Sequence, residues 1–210
     1  TVLYGGYMAF GNSSKQTWEY DGTDWTQRML GRSPPSGSGA MAFDPVRKRC
    51  VLVLAGSGET WEYDGAAWVG PLAAVPGPYG VRACFDASRG RVVMSNGADR
   101  RTREWNGRSW QVFGPRLGPR DFGPLAFDRS RNVLMRFETD SQGILDAYEY
   151  RGGQWLAHAP GRAPSSVGGW AAAYDTHRQR MLLLSGGSVW AWGRPGRSEV
   201  FGLGCRRGAA

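Results

Sequence analysis

The stretch Thr17–Gly22 reads "TWEYDG", and Thr60–Gly65 reads "TWEYDG" again. A hexamer holding a Trp and a Tyr does not recur by chance in a chain of 210 residues, so self-similarity is the first property to test. Three markers recur. An aromatic followed by Asp stands at Phe43-Asp44, Phe85-Asp86, Phe127-Asp128 and Tyr174-Asp175, at spacings of 42, 42 and 47 residues. A Glu–aromatic–any–Gly run starts at Glu19, Glu62, Glu104 and Glu149, at spacings of 43, 42 and 45. A Trp follows each of those Glu residues by six positions, at Trp25, Trp68, Trp110 and Trp155.

One period splits into four short strands. "GAMAFD" (39–44) is the first and the apolar "RCVLVLAG" (49–56) the second. "TWEYDG" holds the third strand and its exit turn, and "AAWVG" (66–70) the fourth. The third alternates, with Trp61 and Tyr63 on one face and Thr60 and Glu62 on the other. Asp-Gly at 64–65, Asn106-Gly107 and Gly152-Gly153 read as two-residue hairpin turns. Connectors rich in Gly and Pro separate the repeats: "GRSPPSGSG" (31–39), "VPGPYG" (75–80), "GPRLGPRDFG" (114–123) and "PGRAPSSVGG" (160–169). Four strands in each 40–50 residues describe a propeller blade, and the absence of a 3.6-residue period excludes a helical solenoid. The expected fold is all-β: a β-propeller of four-stranded antiparallel blades, four and a half to five of them. It forms a single domain over 1–210 with repeats at about 1–38, 39–80, 81–123, 124–169 and 170–210.

These residues resemble the kelch-repeat β-propellers, whose unit has a Gly-Gly doublet ending its second strand, then a Tyr, then a Trp. The chain shows Gly5-Gly6 followed by Tyr20 and Trp25, and Gly186-Gly187 followed by Trp190. The middle repeats keep one Gly (Ala55-Gly56, Asn96-Gly97) or none (Phe137-Glu138). The chain is most similar to divergent bacterial units reading W-x-Y-D-G-x-x-W, then Y-D-x-x-R-x-R. The resemblance implies architecture, since a propeller hosts many activities. Closed kelch propellers have six or seven blades. This chain enters at a second strand and has no clear Trp-bearing fourth strand after Trp192, so it reads as a processed or truncated piece or as a tight five-bladed closure.

The repeated aromatics Trp18, Trp25, Trp61, Trp68, Trp105, Trp110 and Trp155 are expected to fill the space between blades. Glu19, Glu62, Glu104 and Glu149 then lie on a sandwiched strand, and a buried carboxylate needs a partner. Arg47, Arg89, Arg131 and Arg178 each follow an aromatic-Asp pair by three residues, on the rim where the first-to-second and third-to-fourth turns meet. A structural cluster of Asp44, Asp86, Asp128 or Asp175 with its Arg and its Glu is expected there, with bidentate Arg–carboxylate geometry. On the opposite rim lie the variable loops and connectors, where binding usually resides. The candidate ligand contacts are Arg32, Tyr79, Arg82, Arg100, Arg101, Arg120 and Phe122.

The net charge of +8 comes almost wholly from arginine. It admits a basic module for nucleic acid or another polyanion. The scatter of the arginines, with abundant Gly, Ala and Pro, favours the plainer reading of a GC-rich gene. Cys50, Cys84 and Cys205 form no C-x-x-C pair, so neither a disulfide framework nor a zinc site is indicated. His158 and His177 have no ligand-spaced neighbours, and no nucleophile-elbow or phosphate-loop motif occurs. No catalytic residue, metal or cofactor is expected. No run approaches the roughly 18 apolar residues of a membrane helix. The compartment is not encoded in these residues, and a secreted or extracytoplasmic location is compatible with them. The expected function is a non-enzymatic interaction module for a protein or glycan. The alternatives are a carbohydrate-active or other enzyme domain and the polyanion binder.

Overall fold

The structure is a computed structural model that describes residues 1–6, 13–116, 123–139, 145–151, 153–158, 171–185 and 188–192. Its described elements are all strands, in five antiparallel sheets. The first sheet holds β1 (Val2–Tyr4), β2 (Thr17–Tyr20) and β3 (Trp25–Arg28). The second holds β4 (Gly39–Asp44), β5 (Arg49–Leu54), β6 (Thr60–Tyr63) and β7 (Trp68–Val69). The third holds β8 (Arg82–Asp86), β9 (Arg91–Asn96), β10 (Arg101–Trp105) and β11 (Trp110–Phe113). The fourth holds β12 (Leu125–Asp128), β13 (Val133–Thr139), β14 (Leu145–Arg151) and β15 (Gln154–His158). The fifth holds β16 (Ala171–Asp175), β17 (Arg180–Ser185) and β18 (Ser188–Trp192). Strands neighbour in chain order throughout, as short hairpins require. The chain forms two compact units. One is Thr1–Phe85 with Gly90–Phe113, and the other is Asp86–Arg89 with the chain from Gly114 on.

In the first unit, β5 is buried on both faces, which is why its sequence is an apolar run rather than an alternation. Cys50, Leu52 and Leu54 pack with Trp61, Tyr63 and Trp68 against Val2 and Tyr4 of the first sheet. Val51 packs the other way, with Val92 and Trp105 of the third sheet, and Val53 joins Val75, Val81 and Met94. Burial pushes the Cys50 thiol up, so this cysteine is a protonated packing group. In the second unit, Met135 and Phe137 of β13 meet Met181 and Leu183 of β17, with Trp192 edge-on to Phe137 at 5.7 Å. Trp68 and Trp105 are buried, while Trp25 keeps 47% exposure, contrary to the expected core role. Among the described residues of its unit, the second sheet packs on the first sheet, and Trp25 stacks on Tyr20 at 5.1 Å.

The aromatic-Asp markers are turn locks. Asp44 Oδ1 accepts the backbone N–H groups of Val46 and Arg47, both at 3.0 Å. Asp86 does the same for Ser88 and Arg89, Asp128 for Ser130 and Arg131, and Asp175 for His177 and Arg178. The residue four after each Asp then takes positive φ: Lys48 at 54°, Gly90 at 62°, Asn132 at 52° and Gln179 at 51°. The Asp carboxylate holds a turn that brings the next residue into the left-handed region and launches the second strand in register.

The third-to-fourth turns correct an expectation. Tyr63 pairs with Trp68, Tyr20 with Trp25 and Trp105 with Trp110, so these loops have four residues, not two. The side chain explains it. Asp64 Oδ1 accepts the N–H groups of Ala66 and Ala67 at 2.8 Å, and Asp21 and Asn106 do likewise in their sheets. An Asx turn with Gly at the next position replaces the tight turn. The fourth sheet has a loop of two residues, since Arg151 pairs with Gln154.

These bonds hold the Asp64 carboxyl down at about 2, through the backbone N–H groups first and then Arg49, whose guanidinium lies 2.6 Å away. The unfolded value is near 3.9. A depressed folded value means that the stabilisation is present above about pH 4 and lost as pH falls toward 2. Asp64→Asn keeps the turn, as Asn106 shows, and removes the titration. The urea midpoint of the parent chain is expected to fall more steeply than that of Asp64→Asn between pH 4 and 2. Parallel slopes over that window refute the assignment.

The fifth sheet also extends the repeat. Leu183 pairs with Trp190 and Met181 with Trp192, as Leu52 pairs with Trp61 and Cys50 with Tyr63. "WAW" (190–192) is therefore the third strand of its sheet, with Ala191 standing where the others carry Glu.

Candidate functional site

The two rims of the sheets differ in what their charges do. On the rim of the first-to-second turns, Arg47 donates both Nη groups to the Glu62 carboxylate, Nη2 at 2.8 Å. The same carboxylate accepts the Trp105 indole N–H of the next sheet at 2.6 Å. Glu19 is served in parallel by Arg28 at 3.4 Å and by the Tyr63 hydroxyl of the next sheet at 2.8 Å. A second row of bonds links the same sheets: Trp68 Nε1 donates to Thr17 Oγ1, and Trp110 Nε1 to Thr60 Oγ1, at 2.8 and 2.7 Å. Thr17 with Glu19, and Thr60 with Glu62, thus each offer two acceptors to the following sheet's aromatics.

In the fourth sheet Glu149 is buried beside Arg131, with Arg151 Nε at 3.0 Å and His158 Nε2 at 3.3 Å. Arg131 also lies 3.9 Å from Asp128, and burial pulls its guanidinium below its ordinary value. Where Ala191 replaces Glu, Arg178 bonds Asp175 instead, at 3.0 Å. Arg89 donates its backbone N–H to Asp86, and its guanidinium sits 5.8 Å from the centre of the Tyr150 ring. These cations are committed to local partners, which cancels much of the field a polyanion would meet.

The opposite rim is built differently. The connector after β7 is strapped to two turns in succession. Val75 N–H donates to Gly58 O at 3.0 Å, Gly56 N–H to Pro78 O at 3.0 Å, and Gly97 N–H to Tyr79 O at 2.8 Å. The approach is so close that a Cβ on Gly58, whose φ is 73°, would lie 1.9 Å from Val75 O, so only Gly fits there. Val75 and Val81 are buried and anchor the strap at both ends.

Tyr79 stands on top with 65% of its surface exposed. Its N–H donates to Oδ1 of the fully buried Asn96 at 3.2 Å, and that oxygen also accepts Ala98 N–H at 3.0 Å. The turn that Tyr79 grips carries Arg100, at φ 55°, and Arg101, whose N–H donates to Asp99. Burial opposes ionisation of Asp99, but the Arg103 guanidinium outweighs it and holds the carboxyl below its ordinary value.

Of the other expected contacts, Arg82 folds back so that Nη1 donates to Val81 O at 2.9 Å. Arg32 lies over the Trp61 ring at 5.1 Å, and the Trp61 indole donates to Glu59. Tyr79, Arg100 and Arg101 are thus brought to one turn, while Arg32 lies in the connector between β3 and β4. Arg120 and Phe122 lie outside the described residues. Asn96, the clamp beneath Tyr79, escaped sequence reading because it stands where the kelch pattern wants glycine. Among the described residues no group of three or more His, Cys, Asp or Glu could hold a metal ion, and no helix is long and apolar enough to cross a membrane.

No protein-family model matches the chain, and no curated protein matches its sequence. Solved structures do match. A fucose-specific lectin from Aleuria aurantia is 18% identical, with a TM-score of 0.62 over 89% of this chain and 69% of that one. A catalytically inactive virginiamycin B lyase from Staphylococcus aureus with quinupristin is 9% identical, with a TM-score of 0.62 over 96% and 70%. A nidogen/laminin complex gives 15% identity and a TM-score of 0.56 over 85% and 67%. At such identities the likeness speaks of fold alone, and with the five antiparallel sheets it makes this chain an all-β protein of the β-propeller fold.

Proposed function

We propose that the chain is a non-enzymatic binding module of the kelch type, recognising a protein or a glycan through the rim of connectors and second-to-third loops. The clamped, exposed Tyr79 carries this reading. A rigid aromatic loses little conformational entropy on binding, and beside arginines it suits a sugar face or a peptide with acidic groups. The arginines of the other rim are engaged by carboxylates, which favours this rim over a polyanion surface. Lectin and protein-complex neighbours on the same fold support a recognition role.

The test is a glycan array and a peptide array probed with the full chain and with Tyr79→Ala and Arg101→Ala. The variants are expected to lose at least about tenfold in affinity for the strongest ligand, the scale of an interface hot spot, with unchanged unfolding midpoints. Binding that survives both substitutions refutes the assignment to this rim.

A further inference from the structure

The chain holds two Asn-Gly pairs, Asn96-Gly97 and Asn106-Gly107. An Asn before Gly is the amide most open to attack by its own main chain, since Gly carries no side chain to shield the peptide nitrogen. The two pairs sit in opposite surroundings. Asn96 is fully buried, its Oδ1 accepts the N–H groups of Tyr79 and Ala98, and Gly97 N–H donates to Tyr79 O at 2.8 Å. The nitrogen that would attack is locked there. Asn106-Gly107 lies on the turn between β10 and β11, and among the described residues the Gly107 N–H has no hydrogen-bond partner.

The turn also prepares the group under attack. Asn106 Oδ1 accepts the N–H groups of Arg108 and Ser109, both at 2.8 Å. Two backbone donors at that distance from the oxygen on which charge develops are the arrangement of an oxyanion hole. They polarise Asn106 Cγ and stabilise the tetrahedral oxyanion. The leaving nitrogen is held loosely, with Nδ2 at 3.3 Å from Ser109 Oγ. The fold itself keeps Gly beside this amide. Gly107 has φ 91°, and a Cβ on it would lie 3.0 Å from Arg47 Cζ.

The blade is built to receive the product. Asp21 and Asp64 occupy this position in the first two blades and accept the same pair of N–H groups. In the second blade the ladder ends with Cys50 opposite Tyr63, and just beyond it Arg49 pairs with Asp64 at 2.6 Å. In the third the ladder ends with Val92 opposite Trp105, so Arg91 faces Asn106 in the same way. Among the described residues no carboxylate pairs with Arg91.

We propose that Asn106 is a self-modification site: it deamidates through a cyclic imide with Gly107, and the Asp formed pairs with Arg91. The Gly107 nitrogen gives its proton to water or hydroxide and bonds to Asn106 Cγ. The Cγ–Nδ2 bond breaks, and Nδ2 leaves as ammonia with a proton taken from water. A water molecule then opens the ring. Cleavage between Cγ and the Gly107 nitrogen gives Asp. Cleavage on the other side gives isoaspartate, whose lengthened main chain does not keep the turn. The reaction adds one negative charge to the rim of the first-to-second turns and leaves the Tyr79 rim unchanged.

The test incubates the full chain at mildly alkaline pH beside the free peptide EWNGRSW (104–110) and follows both by mass spectrometric peptide mapping. Asn106 in the folded chain is expected to convert at least tenfold faster than Asn96, and no slower than the peptide. Equal rates at the two Asn residues, or an intact Asn106 after the peptide has converted, overturns the site. A second arm follows the new carboxyl of Asn106→Asp by NMR as pH is varied. Its midpoint is expected to lie about half a pH unit higher once Arg91→Met removes the guanidinium. Should Arg91→Met not fold, high salt on Asn106→Asp makes the same comparison, since it screens an exposed pair and raises the midpoint. An unmoved midpoint, or isoaspartate as the sole product in the parent chain, overturns the pairing with Arg91.

Discussion

Arg47→Met is expected to destabilise the chain by about 3 kcal/mol, the lower end of the range for breaking a buried ion pair from one side. The cost is high because of what remains. The Glu62 side chain is only 7% exposed, and among the described residues its remaining donor without Arg47 is the neutral Trp105 indole. A carboxylate desolvated to that degree and left with a single donor loses more than the bond itself. The value stays at the lower end because the Arg47 side chain is 30% exposed, so water replaces part of the guanidinium. Adding Glu62→Gln should return more than half of the loss, since Gln carries no charge and its oxygen still accepts the indole N–H. Urea unfolding of the parent, both single variants and the double variant closes a mutant cycle. A coupling of at least about 1.5 kcal/mol is expected for a bidentate pair. Additive effects within 0.5 kcal/mol, the limit for independent sites, would mean that the pair is solvated and the argument fails.

That pair also marks how far the sequence could be read. The recurrence of Glu after six-residue steps to Trp exposed the blades, and the first strand "GAMAFD" is the observed Gly39–Asp44 to the residue. Period and turn letters are local, so they survive without neighbours. The need of Glu62 for a partner was legible because a sandwiched strand implies burial. The Arg47 guanidinium was reachable by counting along one blade. Trp105 was not, because it arrives 43 residues later from another blade, and strand alternation does not say which aromatic leans back. Asp-Gly misled for a different reason. The pair serves a tight two-residue turn and an Asx turn of four residues equally well, and only the Asp64 bonds to Ala66 and Ala67 separate them. The "AG" at 55–56, taken as the end of the second strand, belongs to the turn that Pro78 grips. On the rim of connectors, Tyr79 stood out as an aromatic in a Gly/Pro connector, but its clamp, Asn96, did not, because a buried amide leaves no periodic trace.

The fourth blade hides a second deviation, and it yields the other large effect. Arg136 and Glu138 on β13 are 1% and 4% exposed and pair with one another. Arg136 also lies 6.0 Å from the centre of the Tyr148 ring. Counting from the blade's Asp, Arg136 is the counterpart of Leu52 and Glu138 of Leu54, both buried apolar residues in the second blade. Charges in a strand ordinarily signal an exposed face, and Phe137-Glu138 reads in the sequence as a departure from the kelch glycines, with nothing to mark Arg136 as core. Either Arg136→Leu or Glu138→Leu alone is expected to cost about 3–5 kcal/mol, because each removes an ion-pair partner of a charge that stays in the interior. The double variant should recover to within about 1 kcal/mol of the parent or exceed it, since the desolvation of both ions is relieved together and the second blade already packs Leu at both positions. Chemical denaturation of the two single variants and the double variant measures this directly. Single variants costing under about 1 kcal/mol, the scale of an exposed pair, would place both charges in contact with water. A double variant as unstable as the singles would mean that the fourth blade has no room for two leucines, and that this pair sustains packing nothing apolar can replace.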